Sequence, residues 1–307
     1  MCVSLNTTRP EGSSYQVIFR PGNGRNGLAC WLALPHTITP DAPPLVAVHG
    51  IRRGAELQAA LFADRAAALG RPVIAPVFDT TNWLGYQQAF LCGRADLALL
   101  DLILSLRNMG VVQSEKLDLF GFSGGAQFVH RFALLHPERV SRLSIASPGW
   151  YTFPDTASYP YGLWPRPEHA DEWSYSIIAN LDRFLALPMN VCVGENDCVR
   201  DKNTRSGAAI DAQQGLHRLD RARRWTDAVR TAATDLKIEP DVSLHVLKGC
   251  GHDFETCVTK GQLDRIVIAD EPTESAGICR GTCSAQQQRA CHVARRLKPF
   301  DQMEATA

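Results

Sequence analysis

Apolar positions along this chain follow two alternating rhythms. Short runs rich in β-branched and aromatic residues recur at YQVIFR (15–20), LACWLALP (28–35), PPLVAVHG (43–50), PVIAPVFD (72–79), LDLFGF (117–122), RLSIAS (142–147), MNVCVG (189–194) and VSLHVL (242–247). Each is bounded by turn-forming residues and predicts a strand. The first two flank PGNGRNG, a Gly/Asn cluster suited to a hairpin. The later ones are almost continuously apolar, the pattern of strands covered on both faces of a parallel sheet. Between them lie stretches with helical spacing, at 55–69, 96–107, 128–136, 216–236 and 254–269. Gly70 followed by Arg71-Pro72 ends the first helix, and Pro137 ends the third. The sum is an α/β class fold: an eight-stranded, mostly parallel sheet with helices on both faces.

Three segments stand outside the rhythm. Residues 1–14 are polar and irregular and read as a flexible N-terminal arm before a domain spanning 15–269. Residues 148–186 interrupt the alternation after the sixth strand. Residues 270–307 form a tail in which Ala290, Val293, Ala294 and Leu297 fall on one face of a short basic helix stopped by Pro299.

Composition narrows the function classes. Lys plus Arg and Asp plus Glu both number 32, so no global field draws the chain to nucleic acid or an anionic membrane. No apolar run is long enough to span a bilayer, and the opening MCVSLNTTRPEGSSY lacks the blocks of a secretory signal, which leads us to expect a cytoplasmic protein without membrane partners. The ten cysteines are too sparse for a disulfide scaffold. Cys198 lies near Cys250 or Cys257 if the loops carrying them meet, so a disulfide there is plausible, with free thiols the preferred reading in a reducing compartment. Cys279, Cys283, Cys291 and His292 have no recognised zinc spacing, and neither a metal nor any other cofactor is expected.

The sharpest chemical signal is Gly121-Phe122-Ser123-Gly124-Gly125 between an apolar strand and an apolar helix. A serine there sits on a tight strand-to-helix turn with its hydroxyl lifted above the sheet. Such a hydroxyl needs a base and an orienting acid. His252, in the Gly-rich loop after the last strand, is the base, and Asp197, in Gly194-Glu195-Asn196-Asp197 after the seventh strand, is the preferred acid. Asp79, Asp155 and Glu195 are alternative acids; His130 and His245 are packing residues by their positions inside a helix and a strand. Oxyanion donors are expected from the N–H groups of Gly124, which follows the nucleophile, and of Ile51 in His49-Gly50-Ile51 after the third strand.

Taken together, GFSGGAQFVHRFALLHPERV, the HG loop and the ordered Ser, Asp and His loops make residues 15–269 resemble α/β-hydrolase-fold serine hydrolases, in particular bacterial esterases, dienelactone-hydrolase relatives and polyhydroxyalkanoate-depolymerase-like proteins. That resemblance implies a short cap after the sixth strand, which is where 148–186 falls. Eight of the chain's 24 aromatic residues cluster there within 150–175. Trp150 and Tyr151 are therefore expected to contact substrate, with Trp83, Tyr86 and Phe90 as an opposite wall. The expected activity is cleavage of a carboxylic ester of small or medium size through an acyl-enzyme. Lactonase, polyester hydrolase and acyltransferase chemistry would use the same residues, and a non-catalytic ligand-binding protein is the reading from another class.

Overall fold

A computed structural model describes residues 7–8, 14–24, 27–91, 93–165 and 172–269 of the 307. The tail at 270–307, with its expected helix and its Cys/His cluster, lies outside the described residues, as does most of the arm at 1–14.

All eight expected strands form. They are β2 (Tyr15–Arg20), β3 (Ala29–Pro35), β4 (Leu45–Val48), β5 (Val73–Val77), β6 (Leu117–Phe122), β7 (Val140–Ala146), β8 (Met189–Gly194) and β9 (Val242–Leu247), and a two-residue β1 (Thr7–Thr8) adds an outer edge. Two residues are too few for any periodicity, so β1 had no signature in the chain. The sheet order is β1-β2-β3-β5-β4-β6-β7-β8-β9. Pairing is antiparallel from β1 through β3 to β5 and parallel from β5 onward.

Alternation along each strand sorts side chains between two cores. Val46 and Val48 of β4 face the core shared with α2 (Ala95–Asn108), α3 (Gly124–Leu135) and, after the short α6 (Ala208–Gln214), α7 (Arg218–Asp235). Leu45 and Ala47 face the opposite core with α1 (Ala55–Ala68), α8 (Phe254–Thr259) and α9 (Leu263–Val267). Every residue of α3 is buried, because the short helices α4 (Glu172–Ala179) and α5 (Leu181–Leu185) cover the face that the sheet does not. The helix expected at 128–136 thus begins four residues earlier, directly after Ser123. The last expected helix is two: the chain breaks at Gln262, which has a left-handed φ of 55°, between α8 and α9.

Strand order also decides where a ligand can sit. The chain goes from β4 to β5 on one side and then returns to place β6 on the other, so β4 and β6 flank the point where the order reverses. Open parallel sheets have their crevice at that point, beyond the carboxyl ends of the strands. The loops after β4, β6, β8 and β9 all open onto this end.

Candidate active site

Ser123 leaves β6 with φ 54° and ψ −113°, a conformation few non-glycine residues adopt. It is held by its N–H donating to Ala146 O (2.8 Å) and by Gln127 N–H donating to its carbonyl (3.2 Å). The turn is possible because its flanks lack side chains. A Cβ on Gly121 would collide with the Gly125 carbonyl, and one on Gly125 with the Val48 carbonyl.

The β8 and β9 loops are stitched together by Glu195 N–H to Leu247 O (2.9 Å), Asn196 N–H to Cys250 O (2.8 Å) and Gly249 N–H to Glu195 Oε2 (2.9 Å). Glu195 thereby serves loop closure rather than the imidazole. This brings Asp197 and His252 together: His252 Nδ1 lies 2.9 Å from Asp197 Oδ2, and its Nε2 lies 3.1 Å from Ser123 Oγ. A carboxylate only accepts, so Nδ1 carries the proton and Nε2 is free to accept from the serine hydroxyl. The ring stacks on Phe122 at 5.0 Å, and Asp253 beside it caps α8 by accepting from Thr256 N–H (2.8 Å).

The alternative residues go elsewhere. Asp79 accepts from Thr81 and Asn82 in its own turn, and Asp155 is buried against Gln213 and Ala157. His130 bridges Ala126 O and Thr152 N–H, and His245 meets Asn190.

On the other side of Ser123, a Cβ placed on Gly124 would lie 3.3 Å from Ile51 N, so the N–H groups of Gly124 and Ile51 are neighbours. Gly124 is the first residue of α3 and has no intrahelical acceptor for its N–H. The peptide that carries the Ile51 N–H is aimed through its carbonyl, Gly50 O, which accepts from His49 Nδ1–H (2.8 Å) and Arg53 N–H (2.9 Å). His49 is held in turn by Phe78 N–H to its Nε2 (3.1 Å) and by Tyr86 O–H to its carbonyl (2.6 Å). Burial pushes the His49 pKa down to about 4, so the ring is neutral, the state that lets one nitrogen donate while the other accepts.

The cleft at Ser123 and His252 is lined by Ile51, Arg52, Arg53, Leu57, Asn203 and Phe254 among others, and by none of Trp83, Trp150 or Tyr151. Tyr151 is fully buried and stacks on Trp225 at 4.9 Å, its backbone pinned at both ends by Gln214 (2.9 and 3.0 Å). Trp150 is half-buried, with the guanidinium groups of Arg131 and Arg205 5.9 and 5.4 Å from its ring centroid. Trp83 packs edge-on against Phe78, Tyr86 stacks behind the β4 loop, and Phe90 packs on Tyr159 and Trp173. The segment after β7 turns inward because buried polar groups claim its backbone: Thr152 binds His130 and Arg131, and Trp225 Nε1–H donates to Thr152 O (2.8 Å).

One residue at the site had no role in the sequence reading. Arg218, 1% exposed, donates from Nη1 to Asp197 Oδ1 (3.2 Å) and from Nη2 to both oxygens of Asp201 (3.0 and 3.1 Å). Its signal was a cation in the first turn of a helix, where the macrodipole disfavours one and a specific acid partner is implied.

The five described cysteines are free. Cys198 is exposed, whereas Cys250 and Cys257 are buried together, the thiol of Cys250 reaching Thr256 O (3.6 Å) and that of Cys257 reaching Gly251 O (3.6 Å). Among the described residues no three His, Cys, Asp or Glu side chains converge as metal ligands, and no helix is long and apolar enough to cross a membrane.

No protein-family profile matches the chain, and no curated protein matches it in sequence. Solved structures do. Poly(aspartic acid) hydrolase-1 from Sphingomonas sp. KT-1 superposes with a TM-score of 0.67 at 24% identity, over 83% of this chain and 97% of that one. A poly(3-hydroxybutyrate) depolymerase from Bordetella parapertussis gives 0.67 at 24% identity, over 91% and 95%. An S-formylglutathione hydrolase from Agrobacterium tumefaciens gives 0.53 at 14% identity, over 96% and 100%. At these identities the likeness is one of fold, and the fold is that of the α/β-hydrolases.

Proposed function

We propose that this α/β-hydrolase-fold chain is a serine hydrolase that cleaves carboxylic esters through an acyl-enzyme. The observation that carries the reading is the unbroken hydrogen-bonded series Ser123–His252–Asp197 beside two adjacent N–H groups. In the first half-reaction His252 Nε2 takes the Ser123 proton as Oγ attacks the ester carbonyl. Asp197 faces the imidazolium that forms, and the N–H groups of Ile51 and Gly124 receive the oxyanion. His252 returns the proton to the leaving alcohol, and water repeats the sequence to release the acid. No step calls for a cofactor.

The cleft favours substrates longer than a minimal ester as a second reading. Its rim carries Ile51 and Leu57, each 41% exposed, and among the described residues no aromatic of the segment 148–186 lines it. A polyester chain could lie across such a rim, and two of the structural neighbours act on polymers. The test is hydrolysis of p-nitrophenyl esters of increasing acyl length, of lactones and of a short polyester by wild type and Ser123→Ala. Turnover of esters by the wild type and its loss by several orders of magnitude in the variant support the proposal. Equal turnover by both proteins rejects it, and a wild type inert on the whole panel points to a ligand-binding role.

A further inference from the structure

The reaction scheme leaves one feature of the Asp197 carboxylate unused. Its Oδ2 faces His252, but its Oδ1 is bound by a second ionised group, the buried Arg218, which also grips both oxygens of Asp201. The Asp197 and Arg218 side chains are 2% and 1% exposed, while that of Asp201 is 39% exposed.

A lone arginine on Asp197 would have opposing effects. It fixes the carboxylate rotamer so that Oδ2 stays on His252, but its charge cancels the one that must face the imidazolium. The bidentate bond to Asp201 resolves the conflict, because two carboxylates share one guanidinium and the unit keeps a net charge of minus one. We infer that Arg218 is a positioning residue that locks Asp197, and that Asp201, outside the cleft, preserves the negative charge on which the proton transfer depends. This inference rests on the proposed roles of Ser123, His252 and Asp197.

Local chemistry supports the assignment. Arg218 stands in the first turn of α7, against the helix macrodipole, so its place is set by its acid partners. A buried guanidinium is costly unless paired, and the two Nη groups make all its pairings while Nε has none. Burial pushes the Asp201 carboxyl up, but hydrogen bonds from Thr204, the Arg218 charge and Asn203 N–H outweigh it and the net shift is downward, so Asp201 stays ionised. Among the described residues, titratable groups around the unit include Tyr151 and Cys257, which sense the Asp197 charge, and Arg221, which senses Arg218. Asp253 senses Arg52 and His252 and caps α8 through Thr256.

The test is Asp201→Asn, which removes the charge but keeps an oxygen to accept from Asn203 N–H (2.9 Å) and the Thr204 hydroxyl (2.9 Å). In the full-length protein we expect kcat to fall about three- to tenfold with KM little changed. The acid limb of kcat/KM should move to lower pH, because a less negative unit disfavours the imidazolium. Asp201→Glu should restore both. The downfield proton resonance of His252 Nδ1–H, read in the resting protein, should move in Asp201→Asn and return in Asp201→Glu. A resonance and an acid limb that both match wild type in Asp201→Asn overturn the inference. Because the resonance needs no turnover, it decides the point even if the wild type proves inert on esters, which would instead count against the proposed function.

Discussion

His49 sets the direction of the Ile51 N–H: its ring donates to the carbonyl of the peptide unit that carries that N–H, at 2.8 Å, and Arg53 N–H binds the same oxygen at 2.9 Å. A planar trans peptide points its N–H opposite its C=O, so fixing one aims the other. The buried imidazole, itself among the groups lining the cleft, therefore fixes the peptide that presents the Ile51 N–H.

Replacing His49 by Ala should remove one of the two donors and leave Phe78 N–H without its acceptor. We expect kcat to fall roughly 10²-fold, the scale of a lost oxyanion donor, with a much smaller change in KM. Steady-state kinetics on a short ester checks this.

The same residue predicts a pH dependence of stability. Burial holds its folded-state pKa at about 4 against an ordinary value of 6.5. Below 6.5 the unfolded chain takes up the proton first, so stability is full above about pH 6.5 and is lost as pH falls towards 4. The buried His130 is also pushed well down, chiefly by burial, and adds in the same direction. Urea unfolding at several pH values should show this slope, with up to about 3 kcal/mol from His49. The slope should be shallower in His49→Gln.

Asp197→Asn should lower kcat on the order of 10⁴-fold by depriving His252 of its charged partner. Asp79→Asn and Asp155→Asn should stay active, since both carboxylates are spent on local backbone and amide contacts. The comparison is a single ester assay on the three purified variants.

Tyr151→Ala should destabilise the fold by ~3–5 kcal/mol, because the ring is fully buried on Trp225, while the preference among acyl lengths stays as in wild type. Leu57→Ala, on the exposed rim, should do the reverse: a thermal midpoint near wild type, and a roughly three- to tenfold loss confined to long acyl esters. Thermal midpoints and kcat/KM on short and long esters separate the two.

Legibility in the sequence followed how locally each feature is encoded. Ser123, Asp197, His252 and Ile51 stand one to five residues past strand ends, beside glycines that mark their turns, and the structure places them at one end of the sheet. The alternating strand pattern likewise stated which sheet was to be built. The direction of the cap aromatics was not local. An aromatic cluster reads the same whether it lines a cleft or a core, and what turns Tyr151 and Thr152 inward is His130, Gln214 and Trp225, each at least 21 residues away in the chain. Arg218 was hidden for the same reason, since its partners lie 21 and 17 residues away. The break between α8 and α9 runs through Gly261 and the left-handed Gln262, and one glycine inside a helical pattern is too weak a signal to divide it.

Every proposed step begins with Ser123 as the nucleophile, and the most direct measurement is the site of covalent reaction with a fluorophosphonate. Incubation of the native protein, followed by proteolysis and mass spectrometry, should place one adduct on the peptide containing Ser123. That adduct should disappear in Ser123→Ala and form far more slowly in His252→Ala. An adduct on another residue, or no adduct in a wild-type protein that hydrolyses esters, would show that Ser123 is not the nucleophile.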